Sequence, residues 1–414
     1  MTTPAFPSIP TPITRAFIVA LVAVTSLGPL VMQMFVPALP AIAAGFEVST
    51  ATANLALSLS FFTLGVSTLF WGPASDRFGR RPALFAGLAL FVIGTLVCLV
   101  APTIEILLVG RVLQSAGSAS GTVIARAVVR DVYGPERAAS VMAYLMMAMV
   151  VSPMVAVIAG GFLVQYTGWR AVFVVALAFG AVVTVIAWRA LPETNATRHA
   201  MMSAAVMLAN YGRLFRQPVF SAYAVHGSMS AASFFAFTAA APFLMVETLG
   251  RPVSEFGLYF GFVTIVFMGA NYVAGRFSQR MGVRFMVLAG GALTLVASIG
   301  GAAWIVLGGL TPVSLFGMAA AFSLGSGISM PNSQAGAVNV APHFAGTASA
   351  GTSFLNMFIG AIIAQTVAVL ADGTAGPLVW AIVLSAIVGF ASAIVPYVVR
   401  PAVPLAAPLA EPGE

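Results

Sequence analysis

Gly72-Pro73-Ala74-Ser75-Asp76-Arg77-Phe78-Gly79-Arg80-Arg81 is a short polar stretch between two long apolar runs. Some two hundred residues later, Gly275-Arg276-Phe277-Ser278-Gln279-Arg280-Met281-Gly282-Val283-Arg284 sits in the same setting. Gly, Ser, Arg, Gly and Arg recur at the same offsets in the two copies. The first follows the second apolar run and the second follows the eighth. An internal repeat of this kind points to a duplicated unit, and here to a chain built from two halves.

The solvent follows from composition. Hydrophobic residues make up 60% of the 414 residues and charged residues only 7%, against roughly a quarter charged in a soluble domain. So few charges cannot cover a water-exposed surface, so most of this surface faces lipid. In lipid every backbone polar group must be satisfied internally, which leaves helices or a closed barrel. Ala16–Met32, Pro82–Val100 and Ala171–Trp188 are nearly continuous apolar runs, of the length a spanning helix needs. The alternation of a barrel strand is absent. The first run reads as a span, being long for a cleaved leader.

These runs predict an all-α polytopic membrane protein with twelve transmembrane helices in two pseudo-symmetric six-helix bundles. The spans fall at 16–38, 52–71, 82–101, 105–128, 138–163, 170–189, 218–246, 255–275, 284–307, 312–335, 346–371 and 377–399. The domain organisation is a cytoplasmic N-terminal tail (1–14), an N-terminal bundle (15–189), a cytoplasmic connector (190–217), a C-terminal bundle (218–400) and a disordered Pro/Ala-rich tail (401–414). All 18 basic residues are arginine. With both termini in the cytoplasm, the inner loops receive nearly all of the loop arginines, and the outer loops only Arg170 and Arg251. The positive-inside rule selects that orientation. The net charge of +7 is scattered between spans, which argues against a nucleic-acid surface.

The repeat loop resembles the signature between the second and third helices of the major facilitator superfamily. Further segments narrow the resemblance: Gln33-Met34-Phe35-Val36-Pro37-Ala38-Leu39-Pro40, Arg111-Val112-Leu113-Gln114-Ser115-Ala116-Gly117, Arg126–Asp131, Gly168-Trp169-Arg170 and Pro331-Asn332. Together these are similar to the Bcr/CflA family of drug-resistance exporters, which includes bicyclomycin and chloramphenicol–florfenicol exporters. That resemblance implies multidrug efflux by proton antiport across the bacterial inner membrane. The implied partners are the lipid bilayer and a small-molecule substrate, amphenicol-like or another neutral to weakly anionic compound. The chain is expected to act as a monomer without cofactor, with the proton gradient as driving force.

Several residues are candidates for mechanism. In the first loop, Gly72, Asp76, Arg77, Gly79, Arg80 and Arg81 read as a cytoplasmic gate in which Asp76 pairs with Arg80 near a helix N-terminus of the other half. The bland alternative is positive-inside anchoring. Arg111 lies deep in span four, where an arginine costs about 2.5–3.5 kcal/mol on translocon scales. It either faces the cavity, with Gln114 one turn on, or is a structural arginine satisfied locally. Where the exporters usually carry an aspartate, this chain has Gln33, and no Asp or Glu lies in the middle of any span. His226, about eight residues into span seven, titrates near neutral pH and is either a coupling residue or a neutral histidine bonded between helices. Ser152-Pro153 and Gly160-Gly161 in span five form a partial match to an antiporter motif, or close packing alone. Asn271, Asn332, Asn356 and Gln365 can line a cavity or simply bond across helices.

Other classes are disfavoured. There is no phosphate-binding GxxxxGK[ST], no nucleophile–base arrangement and no metal-ligand spacing among His199, His226 and His343, so no enzyme is expected. An uncoupled facilitator or importer of the same fold remains open because of Gln33, and so does a membrane-embedded sensor or scaffold.

Overall fold

The computed structural model describes residues 15–195 and 204–399, without the side chains at 134–140, 143, 204 and 343. The predicted terminal tails, Arg198, His199 and Arg400, and the side chains of Arg137 and His343, lie outside the described residues. The structure is all-helical. Its α-helices are α1 (Arg15–Phe35), α2 (Leu39–Gly45), α3 (Thr50–Phe78), α4 (Arg80–Val100), α5 (Ile104–Thr167), α6 (Arg170–Ala190), α7 (Ala204–Phe215), α8 (Pro218–Phe243), α9 (Val253–Met281), α10 (Val283–Gly308), α11 (Pro312–Val340), α12 (Ala345–Val369) and α13 (Gly376–Val398).

Among the described residues, eleven helical stretches are long and apolar enough to cross a membrane. Each matches a span predicted from sequence. The predicted fourth span, 105–128, is helical as the first part of α5 but is not among them. It carries Glu105, Arg111, Gln114 and Arg126, which interrupt its apolar character. Span one is longer than predicted. A short 3-10 turn at Val36–Ala38 joins α1 to α2, so the helical path runs to Gly45, with Pro37 and Pro40 each at the start of a new helical segment. Span seven ends in a π-helical turn, Leu244–Thr248. The predicted connector contains the amphipathic helix α7.

α5 spans 64 residues, and it reverses direction. Arg126 Nη2 lies 3.7 Å from Met149 Sδ. In a straight helix those residues would stand about 34 Å apart. The chain therefore folds back between them, and α5 holds two antiparallel segments. The reversal lies between Arg126 and Met149, a stretch that contains Gly134-Pro135, a pair suited to breaking a helix.

Turn chemistry explains several ends. Gly79 and Gly282 sit at φ +103° and +81°, values that favour glycine, and each precedes the next helix (α4, α10). Thr311 and Ser314 form a reciprocal capping box at the start of α11, with Pro312 in its first turn. Outward faces are apolar, for example Leu307 at 86% and Trp380 at 75% exposure. Surfaces of that kind belong in lipid.

The described chain divides into two compact units. Unit 1 comprises Met1–Met32, Val66–Pro153 and Phe173–Met201; unit 2 comprises Gln33–Gly65, Met154–Val172 and Met202–Glu414. Unit 2 thus combines parts of the first three-sevenths of the sequence with all of the second half. In unit 1, glycines let α4 and α5 approach backbone to backbone. A Cβ on Gly94 would meet Gly110 O at 2.7 Å, and one on Gly110 would meet Cys98 N at 2.8 Å. Such contacts drive helix association in a membrane, where burial supplies no hydrophobic gain. In unit 2, Val219, Phe220 and Tyr223 of α8 pack with Val287 of α10, Ala337 of α11 and Ala348 of α12.

Candidate substrate and gating sites

In unit 1, α1, α4 and α5 meet around Arg111, which is 1% exposed. Its Nη1 donates to Gln114 Oε1 at 2.6 Å, and its Nη2 lies 3.3 Å from Met32 Sδ. Gln114 Nε2 donates to Thr95 Oγ1 at 2.9 Å, and Thr95 in turn donates to the Phe91 carbonyl at 2.7 Å. Each member passes a hydrogen to the next, so the chain begins at a charge and ends on a helix backbone. Bonds in such a series polarise one another in a medium of low dielectric. Arg111 and Gln114 were both singled out from sequence. Thr95 was missed, because its own helix shows only an apolar run with a tolerated hydroxyl.

The first repeat loop forms a second polar centre in unit 1. Arg80 Nη1 donates to Asp76 at 2.5 Å and to Ser75 Oγ at 2.7 Å, while its Nε donates to Asp131 at 2.9 Å. Arg80 is buried and Asp76 is 44% exposed. Glu193 takes the backbone N–H groups of Arg80 (2.9 Å) and Arg81 (3.1 Å). A carboxylate there satisfies orphan donors at the first turn of α4 and meets the positive end of its dipole. Asn195 Nδ2 donates to the Asp76 carbonyl at 2.8 Å, which serves the last turn of α3 likewise. Arg81 reaches the Trp188 carbonyl (3.0 Å), and Arg77 lies over the Phe78 ring. A Cβ on Gly72 would meet Val123 at 3.9 Å, an ordinary van der Waals contact. The sequence gave reason to pair Asp76 with Arg80. Asp131, Glu193 and Asn195 lie 51, 113 and 119 residues from their partners, a separation that spacing cannot read. The one available signal was that Asp131 and Glu193 are acids in otherwise arginine-rich loops.

Unit 2 holds the remaining candidates. Gln33 is buried, and its Oε1 makes no hydrogen bond to the described residues. Asn271 and Asn332 donate to carbonyls of their own helices, Phe267 at 3.0 Å and Ile328 at 2.8 Å. Asn356 Oδ1 lies 2.8 Å from Ser228 Oγ and so ties α12 to α8. His226 is buried, with Nδ1 2.8 Å from the Gly389 carbonyl on α13. Gly160 and Gly161 are contact points: a Cβ on Gly160 would meet Met34 O at 2.5 Å, and one on Gly161 would meet Val253 O at 3.0 Å. Ser152, in unit 1, is buried and its Oγ lacks a hydrogen bond to the described residues. Pro153 lies next to it, and the helix runs on unbroken through both.

Unit 2 also contains a neutral clasp at the N-terminal end of α3. Gln365 of α12 accepts from Ser58 Oγ at 3.0 Å and donates from Nε2 to the Ala51 carbonyl at 3.0 Å. Asn54 Nδ2 donates to the Ala239 carbonyl of α8 at 3.2 Å. Phe61 and Phe235 pack with ring centroids 4.0 Å apart. Gln365 was noticed from sequence as an intramembrane amide; Asn54 and Ser58 were not. No group of three or more His, Cys, Asp or Glu that could hold a metal occurs among the described residues.

The model of the Major Facilitator Superfamily matches residues 21–365. The chain is 27% identical to the bicyclomycin resistance protein homolog of Haemophilus influenzae, covering 89% of this chain and 92% of that one. It is 29% identical to multidrug resistance protein D of Escherichia coli, covering 86% and 90%. It is 30% identical to the chloramphenicol resistance protein of Pseudomonas aeruginosa, covering 84% and 83%. Among solved structures it resembles a POT family transporter in complex with 5-aminolevulinic acid, with a TM-score of 0.75 at 12% identity, over 92% of this chain and 95% of that one. It also resembles a D-xylose–proton symporter, with a TM-score of 0.71 at 13% identity, over 92% and 97%. At those identities the structures speak for the fold alone. A multi-pass protein of the bacterial inner membrane and a transporter rather than an enzyme, the chain belongs to the major facilitator superfamily, among relatives of the drug-resistance type.

Proposed function

We propose that this transporter is a secondary-active exporter of drug-like small molecules, working by alternating access as a proton antiporter. The observation that carries the reading is Arg111: a guanidinium held at membrane depth by Gln114 and Met32, in a region of α5 that resembles the exporter family. A buried charge of this kind marks a substrate or ion pathway by default. The chain places no Asp or Glu in the middle of a span, so the interior charge is positive. A neutral or weakly anionic substrate suits that field better than a permanent cation does. The chloramphenicol resistance relative makes an amphenicol the first compound to try.

In this reading α5 supplies two spans, which brings the total to twelve, with both termini in the cytoplasm. The six-helix halves 15–189 and 218–400 rock about a midplane site, the Asp76–Arg80–Asp131 cluster gates the cytoplasmic side, and the protein acts as a monomer without cofactor. A second reading, an uncoupled facilitator or importer, is favoured by one observation: Gln33, which cannot titrate, stands where related exporters usually have an acid.

Flux of chloramphenicol into proteoliposomes separates the two. Antiport predicts accumulation in vesicles with an acidic interior, abolished when an ionophore collapses the gradient. Arg111→Ala is expected to lower that flux about tenfold, equivalent to about 1.4 kcal/mol. Flux indifferent to the gradient would select the facilitator. A clear preference for permanent cations would overturn the substrate class.

A further inference from the structure

His226 is the one histidine whose side chain lies among the described residues, and its hydrogen bonding is incomplete. A carbonyl only accepts, so the contact of Nδ1 with the Gly389 carbonyl (2.8 Å) places the hydrogen of the neutral ring on Nδ1 and the lone pair on Nε2. Nε2 is buried and makes no hydrogen bond to the described residues. A buried polar atom in that condition calls for an explanation.

The ring borders a small cavity between α8, α10 and α13 that is also lined by Ser230, Ser233, Thr294 and Ser385. The space open to water centres is about 10 Å³, the scale of one water molecule. Gly291 and Gly389 leave that room: a Cβ on Gly291 would come within 3.0 Å of the imidazole Cε1. Three of the hydroxyls spend their hydrogens on their own helices. Ser230 donates to the His226 carbonyl (3.2 Å), Ser233 to that of Met229 (3.2 Å) and Thr294 to that of Gly290 (2.9 Å). Their oxygens therefore face the cavity as acceptors.

With the ring neutral, the cavity walls offer acceptors and few donors. A proton on Nε2 reverses that nitrogen from acceptor to donor. It can then donate to a water in the cavity, whose two hydrogens go to the hydroxyl oxygens. One water can complete either form: with the ring neutral it donates to the Nε2 lone pair and to a hydroxyl oxygen, and with the imidazolium it accepts from Nε2. Among the described residues no second titratable group lines the cavity. The only other titratable or charged residues on the three helices are Tyr223 of α8, Arg284 of α10 and Tyr397 of α13. Arg284 is within hydrogen-bonding reach of Tyr223 and lies seven residues before Gly291, roughly 10 Å along the helix.

We propose that His226 and this cavity form a proton-binding site, with one water bridging Nε2 and the surrounding hydroxyl oxygens. The site takes a single proton: a hydronium gives it up to the Nε2 lone pair and leaves as water, the ring gains one positive charge, and release reverses the step. As the coupling site of the exporter, it rests on the antiport reading above and supplies the titrating group that Gln33 does not.

Two measurements on the full-length protein test it. The first is ¹⁵N NMR of histidine-labelled protein in lipid, with the His226 signals identified by their loss in His226→Gln. Nε2 is expected to gain a proton as the pH is lowered, while Nδ1 stays protonated throughout. Gly291→Ala, which crowds the ring, is expected to move that titration to lower pH. The second is chloramphenicol transport in proteoliposomes. His226→Gln is expected to lose gradient-driven accumulation and to keep counterflow exchange at equal pH, which reports an intact fold and drug site. An Nε2 that stays unprotonated at the acid limit overturns the site, and so does gradient-driven transport that survives in His226→Gln. If Nε2 titrates but wild-type flux ignores the gradient, the proton site stands and the antiport reading falls.

Discussion

The two copies of the repeat loop share a backbone and differ in what fastens it. Gly79 and Gly282 both turn the chain at positive φ, and Ser75 and Ser278 both bond back into the last turn of the preceding helix. In the first copy, Arg80 gathers Asp76 and Asp131, and Glu193 covers the start of α4. In the second copy, Gln279 stands for Asp76 and Val283 for Arg80. Both partners of the ion pair are absent together, which physical chemistry favours: removing one partner of a buried pair leaves an uncompensated charge, whereas removing both is often neutral. Arg284 turns instead to Tyr223. The duplicated backbone therefore does not need the charges to form its turn. They are an addition to one copy, and in the proposed mechanism that is the copy that gates.

Breaking the ionic copy should cost the most. Arg80→Ala strands Asp76 and Asp131, and a loss of about 2–3 kcal/mol is expected, below the full range for a buried pair because Asp76 is half exposed. Thermal unfolding in detergent should show it, while Val283→Ala at the equivalent place should lower stability by clearly less. A sharper contrast comes from the turn glycines. An alanine at either position meets the strained backbone, at about 1–3 kcal/mol. At Gly79 the Cβ would also meet Glu193 Oε2 at 2.5 Å, whereas at Gly282 nothing lies within 4 Å. Gly79→Ala should therefore be the more damaging of the two, and equal losses would show that Glu193 is not held in place. The smallest effect is expected from Glu193→Gln, which keeps an acceptor but removes the charge at the helix start. A drop of about 0.3–1 kcal/mol, lessened by added salt, is the expected outcome.

Much of the fold was legible because lipid leaves so few alternatives. Apolar run length placed the spans. Arg111 and His226 stood out for the same reason, since a polar group costs so much in that setting. What the sequence could not show were partners supplied from far along the chain. Glu193 serves residues more than a hundred positions away, and Gln365 reaches Ala51 across 314. Periodicity carries no information at that separation. The reversal within α5 was expected from its two predicted spans. The association of 33–65 and 154–172 with the second half was also invisible, because it depends on glycines such as Gly160 and Gly257 whose contact surfaces exist only once the helices meet.

The clasp around Gln365 gives α3 two unlike ends. Its N-terminal end is held by amide and hydroxyl groups bonded to one another and to backbone carbonyls; its C-terminal end abuts a set of full charges. Ions in solution weaken attraction between charges near a surface and leave neutral hydrogen bonds largely alone. The same holds for acidity: nothing in the clasp takes up or gives up a proton in the physiological range. Ionic strength and pH are thus levers that pull on one end of this helix only. A change of salt or acidity would leave the neutral fastening as it is and act on the charged end alone.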